Sequence, residues 1–290
     1  MDEITLKALA KINLGLDVIR RREDGYHEVR MIMQTIHLYD LLEVKKTKDP
    51  QITIQTNLSF LPVNENNLVY KAARLLQEEF SLDGGVSVNL TKRIPVAAGM
   101  AGGSTDAAAM LYAMNQMYDL GLSRKELMER GVAIGADVPY CIMRGTALAE
   151  GIGEKLTQLP PMVKCPVLIA KPSVSVSTKF VYQNLKLDEQ TIHPDIDTLL
   201  SDIRGKNLDG ICTHMGNILE SVTIPNYPVI AKIKEQMLRS GAKASMMSGS
   251  GPTVFGLFED GETAKAAMRD MKHSGLARQV YLTTIYNNRR

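Results

Sequence analysis

The segment at residues 95–106 reads Pro95-Val96-Ala97-Ala98-Gly99-Met100-Ala101-Gly102-Gly103-Ser104-Thr105-Asp106. Small residues let the main chain approach a ligand closely, and the pattern that follows predicts an amphipathic helix from about Ser104 to Leu120. The first amides of a helix lack partners within the helix and carry partial positive charge. We therefore predict a phosphate-binding loop, to which the hydroxyls of Ser104 and Thr105 contribute. The alternative is an ordinary helix cap after a flexible loop.

The loop lacks the features of two common nucleotide-binding motifs. It contains no Gly-Lys-Ser/Thr, so it is not a Walker A motif, and its glycines do not have the spacing of a dinucleotide fingerprint. The sequence therefore disfavours a dinucleotide-binding oxidoreductase.

Strands and helices alternate around this loop. Hydrophobic patterning predicts strands over residues 4–19, 28–46 and 51–56, and a helix that begins at Asn67 and ends at Asp83-Gly84-Gly85. A further strand follows over residues 86–90. Ser123 and Glu126 match a capping box, which predicts the start of another helix.

The second half of the chain has similar elements. Its patterning predicts a helix from Val229 that stops at Gly241, a strand over 253–258, a helix around 264–271 and a final strand over 276–286. These elements do not have the regular rhythm of a doubly wound sheet, so we predict an α+β fold in two layers.

A change of composition predicts a domain boundary. Glycines and prolines punctuate residues 151–173, before a new strand at Val167-Leu168-Ile169-Ala170. The predicted domains are residues 1–158 and 159–290.

Composition restricts the class of protein. The 290 residues include 34 Lys and Arg against 32 Asp and Glu, a net charge of +2, which argues against a protein that binds mainly nucleic acid. The three cysteines form no CxxC motif, so neither a zinc ribbon nor a disulfide framework is expected. His37, His193, His214 and His273 have no metal-ligand spacing, so we predict no metal ligands among the protein side chains. No signal peptide or apolar membrane span is visible, so we expect a cytoplasmic protein that does not bind membranes.

Three further positions have both a structural and a functional interpretation. Lys11 lies in an apolar strand with Asn13, where an ammonium is costly unless it is paired, faces a cleft or lays its stem over the surface. Asp137 precedes Val-Pro and is either a helix cap or a catalytic carboxylate. Ser248-Gly249-Ser250-Gly251-Pro252 is either a hairpin loop or a second loop that faces phosphates.

Taken together, these segments resemble the motifs of the GHMP kinases, which include the galacto-, homoserine, mevalonate and phosphomevalonate kinases. The resemblance extends over essentially the whole chain. Other segments resemble one branch of the superfamily, whose substrate carries a cytidine diphosphate group. They are Ala10-Lys11-Ile12-Asn13, Asp24-Gly25-Tyr26-His27, Gly135-Ala136-Asp137-Val138-Pro139 and Ala149-Glu150-Gly151-Ile152-Gly153-Glu154.

The resemblance implies a fold and an activity. The N-terminal domain would be α+β with a left-handed βαβ unit, and the C-terminal domain would be ferredoxin-like. The activity would be ATP-dependent phosphorylation of the 2-hydroxyl of a methylerythritol unit carrying cytidine diphosphate, in non-mevalonate isoprenoid precursor biosynthesis. Mg²⁺ would enter with ATP. The protein would be a monomer or a weak homodimer.

The resemblance also implies roles for individual residues. Asp137 takes the position of the catalytic aspartate and Lys11 that of the catalytic lysine. Asn13, Tyr26, His27, Thr178 and Tyr182 match the substrate pocket, with Tyr26 stacking on the cytosine. Nucleotide-binding positions match Asn67, Lys92, Pro95, Ala97, Ala98, Gly99, Met100, Ala101, Gly102, Gly103, Ser104, Thr105, Asp106, Ser248 and Gly249.

Two alternatives remain open. One is another small-molecule kinase of the superfamily, of homoserine, mevalonate or sugar type, which would give no role to Asp24-Gly25-Tyr26-His27. The other is a catalytically silent nucleotide-binding protein, which would be expected to have lost Lys11 or Asp137.

Overall fold

We describe residues 1–288 from a computed structural model, in which they form two compact units. Unit 1 comprises residues 1–10, 38–96 and 101–143, and unit 2 comprises residues 11–37, 97–100 and the chain from residue 144. Two long strands, β1 (Glu3–Arg21) and β2 (His27–Thr47), continue from one unit into the other. The predicted division after residue 158 remains a prediction.

Unit 1 combines strands with four helices in its described residues. Besides parts of β1 and β2, it contains β3 (Ile52–Thr56), α1 (Leu68–Glu79), β4 (Gly85–Thr91), α2 (Gly102–Met117), α3 (Arg124–Ile134) and α4 (Val138–Met143). β3 and β4 pair in parallel, so β3, α1 and β4 form the βαβ unit that the resemblance implies. The left-handedness of this unit remains a prediction. The last part of β2 pairs antiparallel with β4.

Local signals located the starts of the helices better than their ends. Asn67 caps α1 by accepting a hydrogen bond from the Val69 amide at 2.9 Å, as predicted. However, α1 ends at Glu79, before the predicted stop at Asp83-Gly84-Gly85. Gly85 begins β4 instead, where a Cβ would lie 2.1 Å from the Gln51 carbonyl oxygen. The capping box of α3 is present at Ser123 and Glu126, as predicted.

The prediction of an amphipathic helix after the glycine-rich loop is wrong in two respects. α2 begins at Gly102, before Ser104, and ends at Met117. Its residues are buried on most sides because α1, α3 and α4 all pack against it. The alanines at 107–109 and 113 allow this close packing, since they add little volume beyond the backbone.

Unit 2 contains the remaining elements of the chain. They are β5 (Thr146–Gly151), β6 (Lys155–Gln158), β7 (Pro166–Lys171), α5 (Thr178–Asn184), α6 (Ile196–Gly205), α7 (Leu208–His214), β8 (Gly216–Asn217), α8 (Glu220–Asn226), α9 (Val229–Arg239), β9 (Ala244–Met247), β10 (Val254–Leu257), α10 (Gly261–His273) and β11 (Gln279–Thr284). The first part of β2 pairs with β5, which also pairs with β6. β8 runs parallel to β1, with Gly216 opposite Gly15.

Unit 2 also contains a four-stranded antiparallel sheet of order β11-β7-β10-β9. In chain order these four strands are β7, β9, β10 and β11, so their order across the sheet is fourth, first, third and second. This is the strand order of a ferredoxin-like sheet. α9 and α10 pack against this sheet, and β7 and β10 supply fully buried residues to the core. The resemblance correctly implied this arrangement. The sequence did not predict α5 to α8, which are short helices of 7 to 10 residues.

Among residues 1–288, we find no helix with both the length and the apolar character needed to cross a membrane.

Candidate active site

Lys11 and Asn13 lie together in the buried part of β1, within unit 2. Lys11 is only 5% exposed, so its side chain does not lie over the surface. Its Nζ donates to Asn13 Oδ1 at 2.7 Å, and its main-chain amide donates to the Met100 carbonyl at 3.2 Å. Lys11 is therefore a buried group next to the glycine-rich loop, and Asn13 is its polar partner. Of the interpretations offered by the sequence, this is the paired one.

The two glycine-rich loops contact each other inside unit 2. Ser248 Oγ donates to the Gly99 carbonyl at 2.9 Å. Gly99 has a φ of +73°, and a Cβ there would lie 2.0 Å from the Ser248 carbonyl oxygen, so only glycine fits. A Cβ on Gly249 would lie 3.3 Å from Gly99 Cα and 3.6 Å from Asn13 Oδ1. Three segments far apart in sequence, around Lys11, Gly99 and Ser248, therefore form one cluster.

The start of α2, in unit 1, has the properties of an anion site. Ala101 precedes the helix with a left-handed φ of 55° and gives no side-chain cap. The first helical amides therefore depend on partners outside the helix. Gly103 is exposed and Ser104 is half-buried, whereas the buried Thr105 hydroxyl donates to the Leu9 carbonyl at 2.8 Å. Ser104 thus provides the more accessible of the two hydroxyls.

A buried cluster of three charged groups lies at the base of this loop, within unit 1. Lys92 Nζ donates to Asp40 Oδ2 and, at 2.6 Å, to Asp106 Oδ2. Asp40 also accepts from the amides of Arg93 at 2.5 Å and Ile94 at 2.8 Å. Because Lys92 precedes the segment 95–106 and Asp106 is its last residue, one ammonium joins the two ends of that segment.

The protonation of this cluster follows from its burial and its charges. Burial opposes the charge on Lys92, but the two carboxylates outweigh it and raise the lysine pKa. Burial raises the pKa of Asp106 well above its usual range; Lys92 opposes this shift, and the charge of Asp40 adds to it. Asp106 Oδ1 is buried, and no group among residues 1–288 bonds to it. Two carboxylates thus share one ammonium, and the burial of Asp106 favours its protonated form.

Sequence reasoning missed Asp40. The signal was available, because Asp40 is a single carboxylate within the apolar run His37-Leu38-Tyr39-Asp40-Leu41-Leu42. A buried charge in such a run requires a partner, the same argument that singled out Lys11.

Asn67 and Asp137 both lie at helix starts in unit 1. The Asn67 side chain caps α1 and also donates to the Pro62 carbonyl at 2.7 Å. Asp137 is half-buried immediately before α4, and its carbonyl accepts from the Cys141 amide at 3.0 Å. Asp137 therefore lies at the start of a helix, which agrees with its structural interpretation. Its catalytic role remains a prediction.

The residues predicted for the substrate lie in unit 2. Tyr26 is 61% exposed in the turn between β1 and β2, and its amide donates to Asp24 Oδ1 at 3.1 Å. The rings of His27 and Tyr182 are tilted, with centroids 5.0 Å apart. Burial, and then the charge of Arg21, lower the pKa of His27, which favours a neutral imidazole.

Thr178, at the start of α5, contacts the second glycine-rich loop. Its hydroxyl lies 2.8 Å from Ser250 Oγ, and either oxygen can donate. A residue predicted for the substrate is therefore directly linked to a loop predicted for the phosphates.

Two family models match the chain. The model described as GHMP kinases N terminal domain matches residues 67–145, and the one described as GHMP kinases C terminal matches residues 199–276. The chain belongs to the GHMP kinases. It is therefore a small-molecule kinase with the two-domain α+β fold of that family, which confirms the expectation from the sequence motifs.

Individual relatives match along their full length. A 4-diphosphocytidyl-2-C-methyl-D-erythritol kinase from Lachnospira eligens is 58% identical over 286 residues, 99% of each chain. A crystal structure of 4-(cytidine 5'-diphospho)-2C-methyl-D-erythritol kinase has a TM-score of 0.84 at 31% identity, covering 98% of this chain and 100% of that one. A homoserine kinase structure from Cytophaga hutchinsonii has a TM-score of 0.81 at 21% identity, covering 99% and 96%. This last likeness concerns the fold alone.

Proposed function

We propose that the chain transfers the γ-phosphoryl group of ATP to the 2-hydroxyl of 4-diphosphocytidyl-2-C-methyl-D-erythritol, a step of non-mevalonate isoprenoid precursor biosynthesis. The observation that carries this proposal is the identity of 58% over 99% of both chains with a kinase named for that substrate. The tilted ring pair of His27 and Tyr182, beside the exposed Tyr26, supports an aromatic site for a pyrimidine base.

Asp137 and Lys11 carry the chemistry in this proposal. The acceptor is a tertiary alcohol, a weak acid and a crowded nucleophile. The Asp137 carboxylate orients its hydroxyl and accepts its proton, while the Lys11 ammonium stabilises negative charge on the transferred phosphoryl group. Phosphoryl transfer depends mainly on positioning and electrostatics, so two such side chains and a phosphate cradle suffice.

The cradle consists of main-chain amides and small residues. The uncapped start of α2 and the loop before it suit the ATP phosphates, and Ser104 supplies a hydroxyl. Lys92 has three ammonium protons, of which two are donated to carboxylates, so the third is assigned to the nucleotide. Asn67, which caps the start of α1, is assigned to the adenosine.

Mg²⁺ is proposed to enter on the ATP phosphates. Within residues 1–288, no cluster of three or more His, Cys, Asp or Glu side chains is arranged to hold a metal ion. Mg²⁺ bound to a nucleotide keeps several waters and takes only one or two protein ligands, so the residues present suit this mode. When bound, the ion neutralises charge on the phosphates.

A kinase for another acceptor is the second candidate, favoured by the similarity in fold to homoserine kinase. At 21% identity this similarity extends to the scaffold only. It leaves the segment Asp24–His27 without a role, whereas the proposed substrate uses Tyr26 and His27 for its base.

An assay of ADP release across several acceptors distinguishes the two candidates. The purified protein is given ATP and Mg²⁺ with 4-diphosphocytidyl-2-C-methyl-D-erythritol, methylerythritol 4-phosphate, homoserine or mevalonate. We expect rapid release only with the first acceptor. Equal or faster release with an acceptor that lacks the cytidine diphosphate group would contradict the proposal.

Tyr26→Ala is expected to raise the KM for the cytidylyl substrate by about tenfold or more, with a smaller change in the KM for ATP. Stacking of a base on an aromatic ring contributes about 1–3 kcal/mol, and the exposed ring has little contact energy to lose in folding. Steady-state kinetics with each substrate varied in turn measure the two KM values. Tyr112→Ala, which removes another exposed tyrosine, is the control. Equal changes in both KM values would argue against the assigned pocket.

A further inference from the structure

Side chains from β8 and α8 hold the main chain of residues Met247–Ser250, here called the 247–250 loop. Resting on the proposed function, we propose that Asn217, Glu220 and Thr223 are positioning residues that shape this loop into a binding site for the ATP phosphates. Neither the motif analysis nor the family resemblance assigned a role to these three residues.

Asn217 makes the most contacts with the loop. Its Nδ2 donates to the Met247 carbonyl at 2.9 Å and to the Gly249 carbonyl at 2.8 Å. Its Oδ1 accepts from the Leu219 amide at 3.0 Å, so the amide group is held on both sides. Because Asn217 is also paired with Leu16 of β1, the loop is tied to the strand that carries Lys11 and Asn13.

Glu220 and Thr223 add two contacts from the same side. Glu220 Oε1 accepts from the Met247 amide at 2.8 Å, while its Oε2 accepts from Lys234 Nζ at 2.5 Å. The Thr223 hydroxyl, which is fully buried, donates to the Ser250 carbonyl at 3.4 Å. Residues 220 and 223 are three apart on α8, so both point to one face of the helix.

The carbonyls of the 247–250 loop are more completely hydrogen-bonded than its amides. All four carbonyls accept hydrogen bonds, because the Ser248 carbonyl takes the Gly251 amide at 3.0 Å. Within residues 1–288, by contrast, no acceptor takes the amide hydrogens of Gly249 and Ser250, although both residues are buried. Buried amides are nearly always paired in proteins, so these two indicate a ligand with acceptor oxygens.

The geometry suits an anion. Gly249 has a left-handed φ of 58°, and successive amides around such a residue form a concave nest for phosphate oxygens. The side chains act only through the main chain: they bond the Met247 amide and three of the loop carbonyls, and they leave the Gly249 and Ser250 amides to the ligand. Without Asn217, two carbonyls lose their donor, and the loop no longer presents its amides in one direction.

The test measures ATP binding in the absence of acceptor by titration calorimetry. Asn217→Ala is expected to raise the Kd for ATP about tenfold or more, since it removes two hydrogen bonds that hold the loop. The KM for ATP is expected to rise by a similar factor, and the KM for the acceptor by less. Asn226→Ala is the matched control, because this exposed asparagine of α8 donates to the Val222 carbonyl and does not contact the loop.

Two milder changes keep the test decisive if Asn217→Ala fails to fold. Glu220→Ala and Thr223→Val are each expected to weaken ATP binding severalfold, with Glu220→Gln closer to the wild type because its amide oxygen can still accept from Met247. Lys234→Met removes the ion pair of Glu220 but keeps the bond from the Met247 amide, so it tests the two contacts of Glu220 separately. Folded variants that bind ATP like the wild type would overturn this inference. A wild-type protein that does not bind ATP would instead contradict the proposed function.

Discussion

Asp137→Asn is expected to abolish turnover and to leave ATP binding almost unchanged. A positioned general base contributes about 10²–10⁴-fold to a reaction rate, and an asparagine of the same size cannot accept the hydroxyl proton. The loss should therefore appear in kcat, measured by ADP release at saturating substrates. Titration of ATP should give a Kd within about twofold of the wild type, because phosphate binding is assigned to main-chain amides.

Asp119→Asn is the matched control for this change. Asp119 is exposed in unit 1 and has a left-handed φ of 53°, a conformation that asparagine adopts readily. Activity should stay at the wild-type level in this variant. A kcat near that of the wild type for Asp137→Asn would refute the role of Asp137 as the base.

The second large effect concerns the two carboxylates that share Lys92. Asp40→Ala is expected to lower the free energy of unfolding by about 3–5 kcal/mol, because it leaves two main-chain amides without their acceptor and the buried Lys92 ammonium with one carboxyl partner in place of two. Asp106→Asn should cost less than Asp40→Ala, since the amide oxygen can still accept from Lys92 and no main-chain amide loses its acceptor. Urea denaturation measures both changes.

The raised pKa of Asp106 also sets the direction in which stability changes with pH. The folded-state pKa of Asp106 is raised above the unfolded value, so any stability it contributes is fully present below the unfolded pKa. That stability is lost as the pH rises through the raised value. Asp106→Asn should therefore gain in stability relative to the wild type as the pH increases. If Asp106→Asn proved as destabilising as Asp40→Ala, or if its difference from the wild type did not change with pH, the assignment of the proton would be wrong.

Much of the secondary structure could be predicted because its signals are local. Asn67 caps α1 and Ser123 begins α3, as their side chains indicated. Such signals require only neighbouring residues, whereas α1 ended early and α2 proved buried rather than amphipathic. The position of Gly85 depends on Gln51, and the burial of α2 depends on three other helices, so neither follows from the local pattern.

The candidate site could be predicted in its parts. The glycine-rich loop, Lys11 and the Ser248 loop each gave a local signal, although two of them had equally simple structural interpretations. Their contact at Gly99 and Ser248 appears only in the fold. Asp40 was missed although its place in an apolar run marked it as a buried charge that needs a partner, whereas Asn217, in the two-residue strand β8, has no distinctive spacing.

The sequence by itself determined the kinds of elements, the small residues at the loops and the family to which the chain belongs. These features depend on periodicity, residue size and motif order, which the linear chain contains. Only the tertiary structure decided that Lys11 is buried beside Asn13, that Asp40 and Asp106 share Lys92, and that β8 and α8 hold the 247–250 loop. A hydrogen bond or an ion pair forms between groups a few ångströms apart, and long-range packing alone brings such groups together.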